Sequence, residues 1–190
     1  MLKLIRQNEM AEGPWRNGMG VSWEIASHRE PHAKEFSWRF AKARIDRDVP
    51  FSIYPGMDRV FMQISGHGLD LEFEGGHRIE VHQSNVPHVF PCDIALNCKL
   101  LDGPCFDLNL FTARGTYEAQ ASVLKLSGME ALDLTGFEAV FFVLEGKAVL
   151  SWQGGAVSLN KGDAAVGSYE QMINIAGHTA AVFVGILVKR

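Results

Sequence analysis

Apolar and polar residues alternate one for one along most of this chain, the pattern of strands that bury a single face. Val21, Trp23 and Ile25 alternate with Ser22 and Glu24; Trp38 and Phe40 alternate with Ser37, Arg39 and Ala41. Val60, Met62 and Ile64 do the same against Arg59 and Gln63. In "LDLEFEGG", Leu69, Leu71 and Phe73 share one side and Asp70, Glu72 and Glu74 the other, before Gly75-Gly76 turns the chain into "HRIEV". That arrangement predicts a hairpin.

The same grammar returns after residue 136. "FEAVFFVLEGKAVLSWQGGAVSLNKGDAAV" predicts four strands separated by turns at Glu145-Gly146, Gly154-Gly155 and Gly162-Asp163, and "HTAAVFVGILV" closes the chain as a strand apolar on both faces. Set beside "DRVFMQISGHGLDLEFEGGHRIEV", it reads as an internal repeat. Residues 114–128, "RGTYEAQASVLKLSG", admit either a helix or an extended linker between halves. The fold class is therefore all-β, a sandwich or barrel.

Composition narrows the function classes. At 190 residues, 47% hydrophobic and 21% charged, the chain has the makeup of an ordinary globular protein. Its net charge of -4 and lack of a basic cluster argue against nucleic acid as a partner. No stretch has the length of a membrane span and the N-terminus lacks a secretory pattern, so no membrane partner and a cytoplasmic location are expected. Cys92, Cys98 and Cys105 form no C-x-x-C pair and read as free thiols. Cys98, inside a strand, reads as inert rather than nucleophilic. The seven histidines show no metal spacing.

The order strand, Gly, strand, Gly-Gly, strand, Gly-Asp resembles the cupin superfamily, whose jelly-roll barrels often hold a metal. Its first motif has a His-x-His pair, a Glu five residues on and a Gly seven beyond. Counting back from Gly66 puts Arg59 at the Glu position and Tyr54 and Ser52 at the histidines. None is an ordinary ligand for a divalent ion. The same count from Gly146 reaches Ala139, Leu134 and Leu132, and Gln171 stands nearest the later His position. No metal and no cofactor are expected, and any chemistry belongs to the first half. An inward guanidinium needs a counter-charge, supplied either by Asp58 or by an anionic ligand.

Four stretches together, "PWRNGMGVSWEIA", "FSWRFAKARI", "PFSIYPGMDRVFMQISGHGLDLEF" and "LLDGPCFDLNLFTARG", resemble the HutD/Ves family of bicupins. Met19 departs from that family's run of three glycines, and Cys92-Asp93 from its Gly-Asp turn. The resemblance implies two cupin-like jelly-roll barrels in one chain, residues 1–115 and 116–190, with N-terminal strands free to cross to the second. It also implies an association with histidine utilisation in one branch, and with a stress response in the Ves-like branch.

"GPWRNGMGVSWEIA" runs into a strand and lacks the spacing of a phosphate loop, so its glycines read as a strand entrance from which Asn17 aims at a barrel mouth. Trp15 is either a lid on the core or a ligand wall. Asp107 and Asn109 share one face of "FDLNLF", turned either to water or to a polar cavity, and Ser37 and Arg39 pose the same choice. The expected site is thus Arg59, helped by Arg39, for the carboxylate of a small metabolite, with Ser52, Tyr54, Asn17 and Asn109 orienting it and Trp15 covering the mouth. Two other readings stand beside it. One is a cofactor-free isomerase or hydrolase with Asp58, Asp107 or Tyr54 as acid or base. The other is an interaction module whose second half pairs two copies of the chain.

Overall fold

The computed structural model describes residues 2–190 and is all-β; among them there is no α-helix. The strands are β1 (Lys3–Ile5), β2 (Ala11–Pro14), β3 (Val21–His28), β4 (Trp38–Ile45), β5 (Val49–Pro50) and β6 (Met57–Ser65). There follow β7 (Leu69–Phe73), β8 (Arg78–Val81), β9 (His88–Pro91), β10 (Leu96–Leu100), β11 (Cys105–Ala113) and β12 (Tyr117–Leu126). The remainder are β13 (Met129–Leu132), β14 (Phe137–Glu145), β15 (Lys147–Trp152), β16 (Gly155–Asn160), β17 (Ala164–Tyr169), β18 (Ile173–Gly177) and β19 (Ala180–Lys189). No helix among the described residues is long and apolar enough to cross a membrane.

Contacts divide the chain into two compact units, one spanning Ala11–Glu118 and the other residues 119–190 with the N-terminal segment up to Met10. The first unit has a six-stranded sheet in the order β2-β3-β4-β11-β6-β9 and a four-stranded sheet in the order β5-β10-β7-β8. Its core is shared by both sheets: Ile45, Phe61 and Phe90 from the larger meet Leu69, Leu71, Val81 and Cys98 from the smaller. In the second unit a five-stranded sheet, β1-β17-β14-β19-β12, and a four-stranded one, β13-β18-β15-β16, bury Phe141, Val143, Leu150, Leu159, Ile175 and Val182.

The internal repeat extends to the strand pairings. Beginning at β4 and at β12, each run of eight strands pairs its first with its eighth, its second with its seventh, its third with its sixth and eighth, and its fourth with its fifth and seventh. The region that admitted a helix is strand β12, alongside β19. Its Ala, Glu and Lys content favours helix, but Ala119, Ala121 and Val123 alternate in burial with Glu118, Gln120 and Ser122, and sheet pairing prevails over propensity.

Candidate functional site

The larger sheet of the first unit carries the site on one face. Residues directly opposite across antiparallel strands share a face, so the register sorts the side chains into rows. Arg39 on β4, Phe111 on β11 and Arg59 on β6 form one row; Ala41, Asn109 and Phe61 form the next; Ala43, Asp107 and Gln63 form the third. Ser22 of β3 extends the third row beyond Ala43. The two alanines leave space where larger side chains would fill the sheet surface, and the result is a small pocket of about 40 Å³.

Trp15 and the segment carrying Phe51, Ser52 and Tyr54 wall the pocket above this floor. Trp15 is fixed from several sides. Its backbone N–H donates to Gly20 O at 2.9 Å, its indole Nε1–H donates to Val21 O at 2.9 Å, and its ring meets Phe51 edge-on at 5.8 Å. The indole lies so close over Gly20 that a Cβ there would stand 2.5 Å from it.

Arg59 is 6% exposed and its guanidinium lies over three aromatic rings, 4.5 Å from the centre of Phe111, 4.9 Å from Phe51 and 5.7 Å from Phe90. Its Nε is buried without a hydrogen-bond partner. Asp58 does not neutralise it: Asp58 is outside the pocket and pairs with Arg114 at 2.8 Å, as neighbouring strand residues face opposite ways. Arg114 also bridges to Asp93 at 3.1 Å. Cation-π contacts of about 0.5–2 kcal/mol each offset part of the cost of burying the guanidinium but do not replace an ion-pair partner. Burial pushes the Cys92 thiol up, against the pull of the Arg59 charge beside it, so Cys92 stays a neutral neighbour.

Asp107 is 2% exposed. Oδ1 accepts from the Asn109 side-chain amide, whereas Oδ2 is buried with no partner. Burial raises its carboxyl to about 6, against the lowering effects of the Asn109 hydrogen bond and the Arg59 charge. Arg39 lines the rim, where Glu24 already takes its Nε–H at 2.8 Å and Ser22 lies 3.4 Å from its Nη2. Arg59 is thus the pocket cation without an ion-pair partner among the described residues.

Of the residues singled out in the sequence, Trp15, Arg39, Ser52, Tyr54, Arg59, Asp107 and Asn109 converge on this pocket; Asn17 and Asp58 do not. Asn17 shapes the loop instead. Its amide donates to Pro50 O at 3.0 Å, its Oδ1 accepts from the Met19 N–H, and its backbone N–H reaches Ser52 Oγ at 3.2 Å. Ser22, Ala41, Ala43, Phe51 and Phe111 also line the pocket and were not anticipated. Phe111 follows Asp107 and Asn109 in the same alternation, which was the signal available for it.

The residues at the metal positions of the cupin pattern do face the pocket, but their chemistry does not fit a divalent cation. A guanidinium offers no lone pair and repels one, and Ser52 and Tyr54 are neutral hydroxyls. Among the described residues no group of three or more His, Cys, Asp or Glu is placed to hold a metal ion.

The second unit has the same strand pairings without the polar set. Ala139 on β14 lies opposite Ile186 on β19 as Arg59 lies opposite Phe111. Val182 and Val184 precede Ile186 at the spacings of Asp107 and Asn109 before Phe111, and with Ala139 they belong to the apolar core.

A family model described as HutD matches residues 7–184. An uncharacterised 21.2 kDa protein from the hutC 3′ region of Pseudomonas putida is 30% identical over 63% of this chain and 62% of its own length. Protein Ves from Citrobacter koseri is 33% identical over 57% of this chain and 56% of its own. The chain thus spans about three fifths of the length of these curated relatives. Among solved structures, a conserved protein of unknown function from Pseudomonas aeruginosa PAO1 has a TM-score of 0.89 at 25% identity, covering 98% of both chains. HutD from Pseudomonas fluorescens SBW25 has a TM-score of 0.85 at 23% identity over 100% of both.

Proposed function

The chain belongs to the HutD family, and from that premise we propose that it is a bicupin whose first unit binds a small carboxylate-bearing metabolite without a metal and thereby tunes histidine breakdown. The two eight-strand runs with matching pairings support the two-barrel reading, since eight strands is the size of one jelly roll. The link to histidine breakdown is supported by the relative from the hutC 3′ region.

One observation carries the binding assignment: Arg59 is a buried guanidinium with an unpartnered Nε and no carboxylate paired to it among the described residues. A charge kept in that state costs stability unless an anion meets it, and a carboxylate can do so through two parallel hydrogen bonds. Three aromatic rings exclude water around the contact and strengthen it.

A thermal-shift screen with histidine, urocanate, formiminoglutamate, formylglutamate and unrelated acids tests this reading. A ligand at 100 times its Kd stabilises the fold by about 2.7 kcal/mol through mass action. At least one acid is expected to raise Tm, and Arg59→Ala is expected to abolish that rise. Full retention of it by Arg59→Ala excludes the proposal.

One observation favours a second reading, a cofactor-free isomerase or hydrolase. Asp107 has a carboxyl raised to about 6 in the same pocket, a range suited to moving a proton near neutral pH. Turnover of a screened acid by chelator-treated protein, lost in Asp107→Asn, would replace the binding role with a catalytic one.

A further inference from the structure

Arg59 is not the pocket's sole unsatisfied polar group. On the floor, Asp107 Oδ2 is an acceptor buried away from water with no donor near it. Each neighbour in its row fails to supply one. Ala43 has no polar side chain, and the Gln63 amide N–H groups are directed to Gly66 O at 3.0 Å and Ser84 Oγ at 3.4 Å. Gln63 Oε1 is itself an unpartnered acceptor. The Asn109 amide is already committed to Oδ1. The other titratable groups acting on Asp107 are the Arg59 guanidinium and the thiols of Cys98 and Cys105, and burial holds both thiols protonated. Ser22, at the far end of the row, lies at the Arg39 guanidinium.

A buried acceptor without a donor is as costly as a lost hydrogen bond, and native proteins keep few of them. Here a donor-deficient carboxylate and an acceptor-deficient guanidinium line one pocket but belong to different rows, with Asp107 four residues along β11 from the partner of Arg59. A ligand with complementary ends satisfies both.

We propose that the ligand of this pocket is a short acid bearing an amide-like N–H group at its other end, and that Asp107, held in place by Asn109, is the residue that selects for that group. The inference rests on the carboxylate reading of Arg59 and adds the second half of the recognition. Trp15, Phe51 and Phe111 line the same pocket and give it aromatic walls, against which a flat amide packs.

Two pairs of acids matched in shape test it: succinamate against levulinate, and glutaramate against 5-oxohexanoate, each pair exchanging an NH₂ for a CH₃. Dissociation constants for the full chain are measured by titration calorimetry or ligand-observed NMR. At pH 7.5 each amide is expected to bind about 10- to 100-fold more tightly than its ketone, the range for a hydrogen bond to a charged group. Asp107→Leu is expected to remove the preference of amide over ketone, and Arg59→Met to weaken all four acids together. Should Asp107→Leu fail to fold, the wild-type pH series serves instead, since none of the four probes titrates between pH 5.5 and 8. The amide preference is expected to fall below about pH 6 as Asp107 takes up a proton.

Equal binding of amide and ketone by the wild type, or a preference indifferent to both Asp107→Leu and pH, overturns the inference. If Arg59→Met still weakens every acid in that case, the carboxylate reading survives it. Acid binding that Arg59→Met leaves unchanged removes the carboxylate reading instead. Failure of all four acids to bind overturns the ligand class.

Discussion

Two side chains with opposite deficits define the pocket, and each has a measurable cost. Asp107 titrates near 4 in an unfolded chain and at about 6 in the fold, because burial disfavours its charged form more than Asn109 and Arg59 favour it. A group whose folded value is raised contributes most stability while protonated, so its contribution is full below pH 4 and is lost as pH rises through 6. Asp107→Asn is therefore expected to match the wild type near pH 4 and to exceed it above pH 7 by on the order of 3 kcal/mol. Urea denaturation at a series of pH values checks this, and a stability difference that does not grow with pH contradicts it. Arg59 and its neighbour Asp58 show how much of this was legible. The motif count placed Arg59, and strand alternation separated the two. That Asp58 pairs with Arg114, more than fifty residues later, is a tertiary fact that local pattern does not contain. Ala41 and Ala43 were silent for another reason: an alanine makes room by what it lacks, and room has no signature in a sequence.

At the level of elements, the hairpin between β2 and β3 ties the opening motif to the site. Trp15 through Gly18 form a turn in which the Gly18 N–H donates to Trp15 O at 2.9 Å, and Gly18 has a φ of 70°, a conformation that glycine adopts without strain. Gly20 serves differently. Its φ is not in the left-handed region, and it is small because the Trp15 indole covers it. Gly20→Ala is expected to lift the indole off the pocket mouth, lose its bond to Val21 O, and weaken acid binding about tenfold while the core of the unit stays folded. Trp15 fluorescence against a background of the other tryptophans, with a binding titration, reads the change; an unaltered spectrum and Kd would show that the indole is not a wall. The strand character of β3 was legible from alternation, as was the repeat, whereas β2 carries no such pattern. Strand β12 was not resolved from helix because its alternation is carried by small residues, whose hydrophobic signal is weak.

Across the whole molecule, one strand pattern occurs twice with different side chains on a single face. The first unit places Arg59, Asp107, Asn109 and Phe111 where the second places Ala139, Val182, Val184 and Ile186. One set leaves a polar pocket and the other fills an apolar core. In the second unit a carboxylate serves the fold instead. Asp163 accepts from Arg6 Nη1 at 2.7 Å and from the backbone N–H groups of Gln7 and Asn160 at 3.1 and 3.0 Å, which fastens β1 beside β17. The central claim is that the guanidinium of the first unit meets a ligand carboxylate, and a crystal structure of the full chain grown with succinamate tests it most directly. The expected map has the carboxylate on the Arg59 guanidinium between Phe51 and Phe111, with nothing bound at Ala139. An Arg59 side chain satisfied by a carboxylate of the protein itself, or an acid seated away from it, would contradict the account.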